Sequence, residues 1–177
     1  MRIIGPASAL AHKVHDQVAL RPGVNRLFLD DMFNAIWFAA EAHDLDPVPL
    51  IAQSGHETAW GTFTRAVKAS QHNPAGIKVN DPKLVPGITD VDTNTLAHYS
   101  FVSWEHGARV YAQHVCLYAG WFKHLADYME LNPRRRFVES KGYKLENWEQ
   151  FGNGAWNTSP TYGTTIVAIA RELQGAA

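Results

Sequence analysis

The stretch SGHETAWG, residues 54–61, holds the densest set of chemical options in this 177-residue chain. His56 and Glu57 begin like the zinc-binding HExxH helix, in which two histidines one turn apart meet a single metal. Position 60 is Trp60, so the second ligand is missing. Elsewhere only His12 and His15 approach ligand spacing, as a weak HxxH, and Cys116 is the single cysteine, so no thiolate set and no intrachain disulfide can form. The expectation is no metal and no other cofactor. Ser54 lacks the GxSxG elbow, and on one helix Ser54 and His56 stand too close to constitute a triad by themselves.

Glu57 has a different use. The helix that carries it is predicted from Pro47 to about Trp60, with Asp46 as its cap, Pro47 at the first helical position and Gly61 to end it. Glu57 then lies near the C-terminal end, where the helix field disfavours negative charge, and Trp60 is in reach as an apolar wall. Both effects raise a carboxyl pKa, typically from about 4.3 towards about 6, which prepares a general acid. By spacing alone an ordinary surface or capping glutamate is the favoured reading.

The other elements follow from periodicity and punctuation. ASALAHKVHDQVA reads as a short helix. DDMFNAIWFAAEAH places Phe33, Ile36, Trp37 and Ala40 on one face, with Asp30 or Asp31 as cap. Between about 62 and 102 the helical pattern fails; turn formers separate short runs such as IKV and HYSFV, which predicts an irregular lobe with two or three short antiparallel strands. Ser103 caps the next helix, whose stripe is Trp104, Ala108, Tyr111, Val115 and Tyr118. Gly120 separates it from WFKHLADYMEL. Arg134, Arg135 and Arg136 read as a solvated turn or as a contact to an anionic polymer. A short helix in LENWEQF, a Gly and Asn loop, and a final helix from about Thr161 to Leu173 complete the chain.

The formal charge is −1, with 46% hydrophobic and 19% charged residues. That composition suits one folded domain over 1–177 and working as a monomer, and it excludes a disordered chain or one that depends on nucleic acid. The N-terminal residues lack the long apolar region of a signal peptide, and no run of 18 apolar residues could insert in a membrane. The expectation is a chain made and folded in the cytoplasm. Cys116 lies in an apolar stretch and reads as a buried small residue.

QSGHETAWG followed by HNPAGIK resembles the endo-β-N-acetylglucosaminidase family that cleaves peptidoglycan, whose signature is a glutamate, a residue pair, Trp-Gly, and a later Asn…Gly-Ile-Lys. Here these are Glu57, Trp60, Gly61, Asn73, Gly76, Ile77 and Lys78. FVSWEHGARVYAQHV and GNGAWNTSPTYGTTIVAIA extend the resemblance over about 47–173. Three features depart from it. Pro74 and Ala75 replace Leu-Phe, Trp156 and Ser159 stand where tyrosine and aspartate are usual, and residues 1–29 form an extension with no counterpart.

The resemblance implies a mainly α (α+β) fold, lysozyme-like, with a helical body and a small β-containing lobe across a sugar groove. It implies that Glu57 protonates the departing glycosidic oxygen of a peptidoglycan glycan strand, with Trp60, Asn73, Lys78, Tyr99, Trp156 and Tyr162 as candidate groove residues. Trp60, Tyr99, Trp156 and Tyr162 each fit a core role as well, with the groove favoured for Trp156 and Tyr162. Asp90 and Asp92, with Asp81 behind them, are candidates for a second carboxylate that activates water from about 6.5–9.5 Å away; each is also a plausible turn former. In a substrate-assisted route the acetamido group of the sugar replaces that carboxylate. A lytic transglycosylase, a muramidase and a noncatalytic wall-binding module are the competing readings. An enzyme that acts on the wall without a visible export segment suggests a phage endolysin, released when another protein permeabilises the membrane, or a piece of a longer protein.

Overall fold

The computed structural model describes residues 1–78, 97–121 and 135–175, and among them helices are the dominant elements. Helix α1 (Ala11–Ala19) buries Val14 and Val18. The second helical stretch starts earlier than the apolar pattern suggests. Asn25 Oδ1 accepts from the Leu27 N–H at 2.9 Å, a π-turn covers Phe28–Met32, and α2 (Phe33–Ala42) follows without a break. Asp30 and Asp31 are thus inside the helical stretch, and Asn25 supplies the cap.

Helix α3 (Pro47–Thr58) begins as its sequence dictates, with Asp46 accepting from the Val48 N–H at 3.1 Å and Pro47 in the first turn. It ends before Gly61. Ala59 (φ 49) and Trp60 (φ 55) are already left-handed, a conformation that costs roughly 1 kcal/mol or more at each non-glycine residue. Local bonds hold the turn: Trp60 N–H donates to Gly55 C=O at 2.8 Å, Phe63 N–H to Thr58 C=O at 2.9 Å, and Thr58 Oγ1 to Ser54 C=O at 2.7 Å. The turn folds the Trp60 indole back onto the helix, where a Cβ at position 55 would sit 2.3 Å from the ring. Any side chain at position 55 would have to displace the indole.

Helix α4 (Trp104–Ala119) starts at Ser103, whose Oγ accepts from the His106 N–H at 3.2 Å, and ends at Gly120 (φ 66). Ala108, Tyr111, Val115 and Tyr118 of its predicted stripe are buried, while Trp104 is half-buried. Helix α5 (Arg135–Lys141) contains Arg135 and Arg136, and Arg135 pairs with Glu139 one turn on at 2.8 Å. A 3-10 turn (Trp148–Phe151) precedes α6 (Tyr162–Leu173), which buries Ile166, Ala170 and Leu173. Helix α2 packs on α3 and α4, and α6 packs on α3 and on the 3-10 turn. Trp148, Tyr111, Phe28, Phe33 and Phe151 are the largest fully buried side chains, each contributing about 2–3 kcal/mol from apolar burial.

The α+β expectation is corrected. Among the described residues there is no sheet, and the predicted strands reduce to one isolated bridge between Lys78 and His98. Two backbone bonds, from Tyr99 N–H to Ile77 C=O (2.9 Å) and from Phe101 N–H to Gln71 C=O (2.8 Å), join the segments there, and side chains supply further bonds in place of a ladder. Asn73 Nδ2 donates to the carbonyls of Ile77 (2.9 Å) and Tyr99 (3.0 Å), and Gln71 Nε2 to that of His98 (3.1 Å). Local side-chain bonds of this kind compete with strand pairing. The segment with Asp81, Asp90 and Asp92, and the predicted WFKHLADYMEL helix beyond Trp121, lie outside the described residues.

The first residues join the body at two places. Ile3 is fully buried, its N–H donates to Glu146 C=O at 3.1 Å, and its C=O accepts from Asp46 N–H at 3.3 Å. The N–H of Ser8 adds a 3.1 Å bond to the Asp46 carboxylate. Both ends of α3 are therefore gripped by the N-terminal region, because Asn25 N–H also donates to Trp60 C=O at 2.9 Å. No helix among the described residues is long and apolar enough to cross a membrane.

Candidate active site

The last turn of α3 delivers Glu57 to an open cleft of about 540 Å³. The lining comes from residues 63 and 65–67, residues 75–78 with His98, His114 and Tyr118 of α4, and Phe137 with residues 154–157. Two donors converge on one oxygen of the acid. Tyr162 donates its hydroxyl proton to Glu57 Oε1 in a short hydrogen bond, and Trp156 Nε1–H donates to the same atom at 3.3 Å. The other oxygen, Oε2, faces the turn at Gly76 (φ 62), where a Cβ would stand 4.0 Å away.

Burial raises the Glu57 pKa. The Tyr162 hydrogen bond, His56, the Trp156 hydrogen bond and Arg65 all favour the ionised form, yet desolvation outweighs them. The same burial, with the Glu57 charge second, holds the Tyr162 hydroxyl well above the usual tyrosine range, so it stays a donor. Because Oε1 is occupied by two donors, the acidic proton of Glu57 belongs on Oε2. This carboxyl can hold a proton at a pH where an ordinary glutamate has lost it and present it to the cleft, which is what a general acid must do.

Behind the acid stands a buried chain. Gln53, one turn before Glu57 on α3, donates from Nε2 to the Tyr162 hydroxyl oxygen at 2.9 Å. Its Oε1 accepts from the Tyr111 hydroxyl at 2.6 Å, and that hydroxyl also lies 3.2 Å from the Leu50 carbonyl. Sequence reading missed Gln53, although its i, i+4 relation to Glu57 marks a shared helix face. Tyr111 was legible only as part of an apolar stripe. Arg65, His114, Tyr118 and Phe137 were missed as cleft residues altogether.

The residues singled out from the sequence divide. Trp156 and Tyr162 meet at Glu57, and Lys78 lines the cleft. Trp156 is embedded among His114 (5.2 Å), Tyr118 (5.6 Å) and Phe151 (6.0 Å), with its N–H free to reach the acid. Trp60 is not among the lining residues; its indole covers Gly55 and meets Phe28 edge-on at 5.3 Å. Asn73 is fully buried, its two donors going to Ile77 and Tyr99 and its oxygen accepting from Ile77 N–H (2.9 Å) and Ala75 N–H (3.4 Å). Its amide is fully engaged in holding the 73–77 turn. Tyr99 lies outside the lining, tilted on Phe101 at 5.3 Å. Ser159, where the resemblance leads one to expect aspartate, still caps the next turn, accepting from Thr161 N–H at 3.4 Å. Cys116 is buried, and its thiol is pushed up to about 12, mainly by that burial.

Among the described residues no group of three or more His, Cys, Asp or Glu side chains could hold a metal ion. A family model described as mannosyl-glycoprotein endo-β-N-acetylglucosaminidase matches residues 34–175, a region that includes α3 to α6, α2 but for its first residue, and every side chain around Glu57. The chain belongs to this glucosaminidase family of glycoside hydrolases. No curated protein and no solved structure matches it.

Proposed function

We propose that the chain hydrolyses the β-1,4 bond that follows N-acetylglucosamine in peptidoglycan glycan strands, with Glu57 as the general acid. The carrying observation is the asymmetry of the Glu57 carboxyl: Oε1 is held by Tyr162 and Trp156, and Oε2 faces the Gly76 turn. As the C1–O bond breaks, Oε2 gives its proton to the leaving oxygen and the carboxylate that forms is received by the two waiting donors. Arg65 and Lys78 in the lining suit a glycan that bears carboxylates, as peptidoglycan does through its lactyl ethers and peptides. This supports peptidoglycan over a neutral sugar chain, and with it a site of action at the cell wall.

Turbidity clearing of purified cell walls by wild type and Glu57→Gln tests the assignment. The variant is expected to lose about 10²- to 10⁴-fold in rate, the range for a missing general acid. Unchanged clearing by it removes Glu57 from the chemistry. Mass analysis of the fragments tests the bond. Reducing N-acetylglucosamine ends fit the proposal, an anhydro-muramic terminus indicates a transglycosylase, and reducing muramic ends indicate a muramidase.

A further inference from the structure

Tyr162 supports Glu57 only if its single proton points at the carboxylate, and Tyr162 cannot ensure that alone. Its hydroxyl lies between two groups, Glu57 Oε1 and the side-chain amide of Gln53. If the amide presents NH2, the Tyr162 oxygen accepts and its proton goes to Glu57. If the amide presents its oxygen, that oxygen takes the Tyr162 proton, and Oε1 faces a lone pair unless the Glu57 proton moves onto it. In the second arrangement the acidic proton points into the protein and the reaction stalls.

Tyr111 decides between the two. Its hydroxyl lies 2.6 Å from one end of the Gln53 amide, the length of an O–H···O bond, while the Tyr162 hydroxyl lies 2.9 Å from the other, the length of an N–H···O bond, so the amide oxygen faces Tyr111 and takes its proton. That fixes the amide with NH2 towards Tyr162. Gln53 and Tyr111 are both fully buried, and Tyr162 is 4% exposed, so water does not compete for these bonds. The chain starts at the Tyr111 hydroxyl inside the core, which means that it orients a proton and does not import one.

We propose that Gln53 and Tyr111 are positioning residues that set the direction of the Tyr162 hydrogen bond and thereby keep the Glu57 proton on Oε2. The inference rests on the reading of Glu57 as the acid. The other charged or titratable groups that act on Glu57, His56 and Arg65, are untouched by the variants below.

The experiment is a double-mutant cycle between Tyr111→Phe and Tyr162→Phe, with kcat measured against pH on purified cell walls, and Gln53→Met as an independent break in the chain. Tyr111→Phe keeps the ring in the core and removes only the hydroxyl. It is expected to lower kcat about tenfold with little change in KM. A weaker donor to the ionised carboxylate raises the Glu57 pKa, so the alkaline limb of the kcat profile moves to higher pH in Tyr111→Phe and in Gln53→Met. In the Tyr162→Phe background, Tyr111→Phe is expected to have no further effect, because the bond it directs is gone. Additive losses in the cycle, or an alkaline limb that stays in place in both variants, overturn the proposal and leave the two residues as core packing. Full turnover by Glu57→Gln in the same assay is a separate outcome that overturns the acid assignment itself.

Discussion

The guanidinium of Arg21 lies 4.5 Å from the centre of the Trp60 indole and also pairs with Glu172 of α6. Arg21 precedes the region matched by the family model, whereas Trp60 is in the strained turn that follows Glu57. The contact therefore ties the N-terminal region to the end of the helix that carries the acid. Arg21→Ala is expected to cost about 1 kcal/mol, from lost stacking and aliphatic packing, and to lower Tm by about 2–4 °C. Glu172→Gln removes only a partner that is 64% exposed and should cost less. Equal losses in the two variants would locate the stabilisation in the ion pair and not in the cover over Trp60.

Glu57 gives a stability prediction with a definite sign. Its folded pKa is raised above the ordinary value of 4.5, so the native state binds this proton more tightly than the unfolded chain does. Ionisation thus costs stability; the cost is absent below about 4.5 and develops as pH rises through the folded pKa. Gln mimics the protonated form, placing a carbonyl oxygen where Oε1 receives Tyr162 and Trp156. Glu57→Gln is expected to melt higher than wild type at pH 8 and at the same temperature at pH 4. A variant less stable at pH 8 would show that the ionised carboxylate is a net stabiliser and that the burial argument fails.

Asn73 is expected to be a stability residue. Asn73→Ala leaves the Ile77 N–H and the Tyr99 carbonyl without their partner, and the Ile77 carbonyl with only the Tyr99 N–H, at a cost of about 2–4 kcal/mol. Urea unfolding measures it directly. A variant with a wild-type midpoint and only weaker wall binding would return Asn73 to the list of sugar ligands.

These results show which features were legible in the sequence. The helix that bears Glu57 could be read because its signals are local: Asp46 and Pro47 act within one turn of where they stand. The same holds for Ser103 and α4. Trp156 and Tyr162 could be assigned to a groove through a motif, not through any spacing, since they are 99 and 105 residues from Glu57, and that they donate to the acid itself was not legible. The strands were misread because IKV and HYSFV have strand composition, and nothing in those runs reveals that the Asn73 and Gln71 side chains bond to the carbonyls of Ile77, His98 and Tyr99. The place of Trp60 stayed open between groove and core for a related reason. Two successive left-handed residues send its ring back over Gly55, and neither Ala59 nor Trp60 advertises that conformation. The Gln53 and Tyr111 pair escaped because its meaning depends on a contact across 58 positions between a glutamine with no signal of its own and a tyrosine that reads as core.

The remaining chemical question is what attacks C1 once Glu57 has given up its proton. If a carboxylate among Asp81, Asp90 and Asp92 activates water, its Asn variant should lose nearly as much turnover as Glu57→Gln, because neither half of an acid and base pair works alone. If the acetamido oxygen of the substrate closes on C1 instead, each Asn variant should retain turnover within about tenfold of wild type, a loss of no more than about 1.4 kcal/mol in the barrier. The two routes also differ in stereochemistry. Water activated by a carboxylate across the cleft inverts the anomeric centre, whereas attack by the acetamido group followed by water retains it. NMR of the first product formed distinguishes the anomers before they equilibrate. Inverted product together with one inactive Asp variant would establish the carboxylate route, and retained product with three active Asp variants would establish the substrate-assisted one. Glu57 serves both, since in each it protonates the leaving oxygen, and in the second its conjugate base then takes a proton from the incoming water.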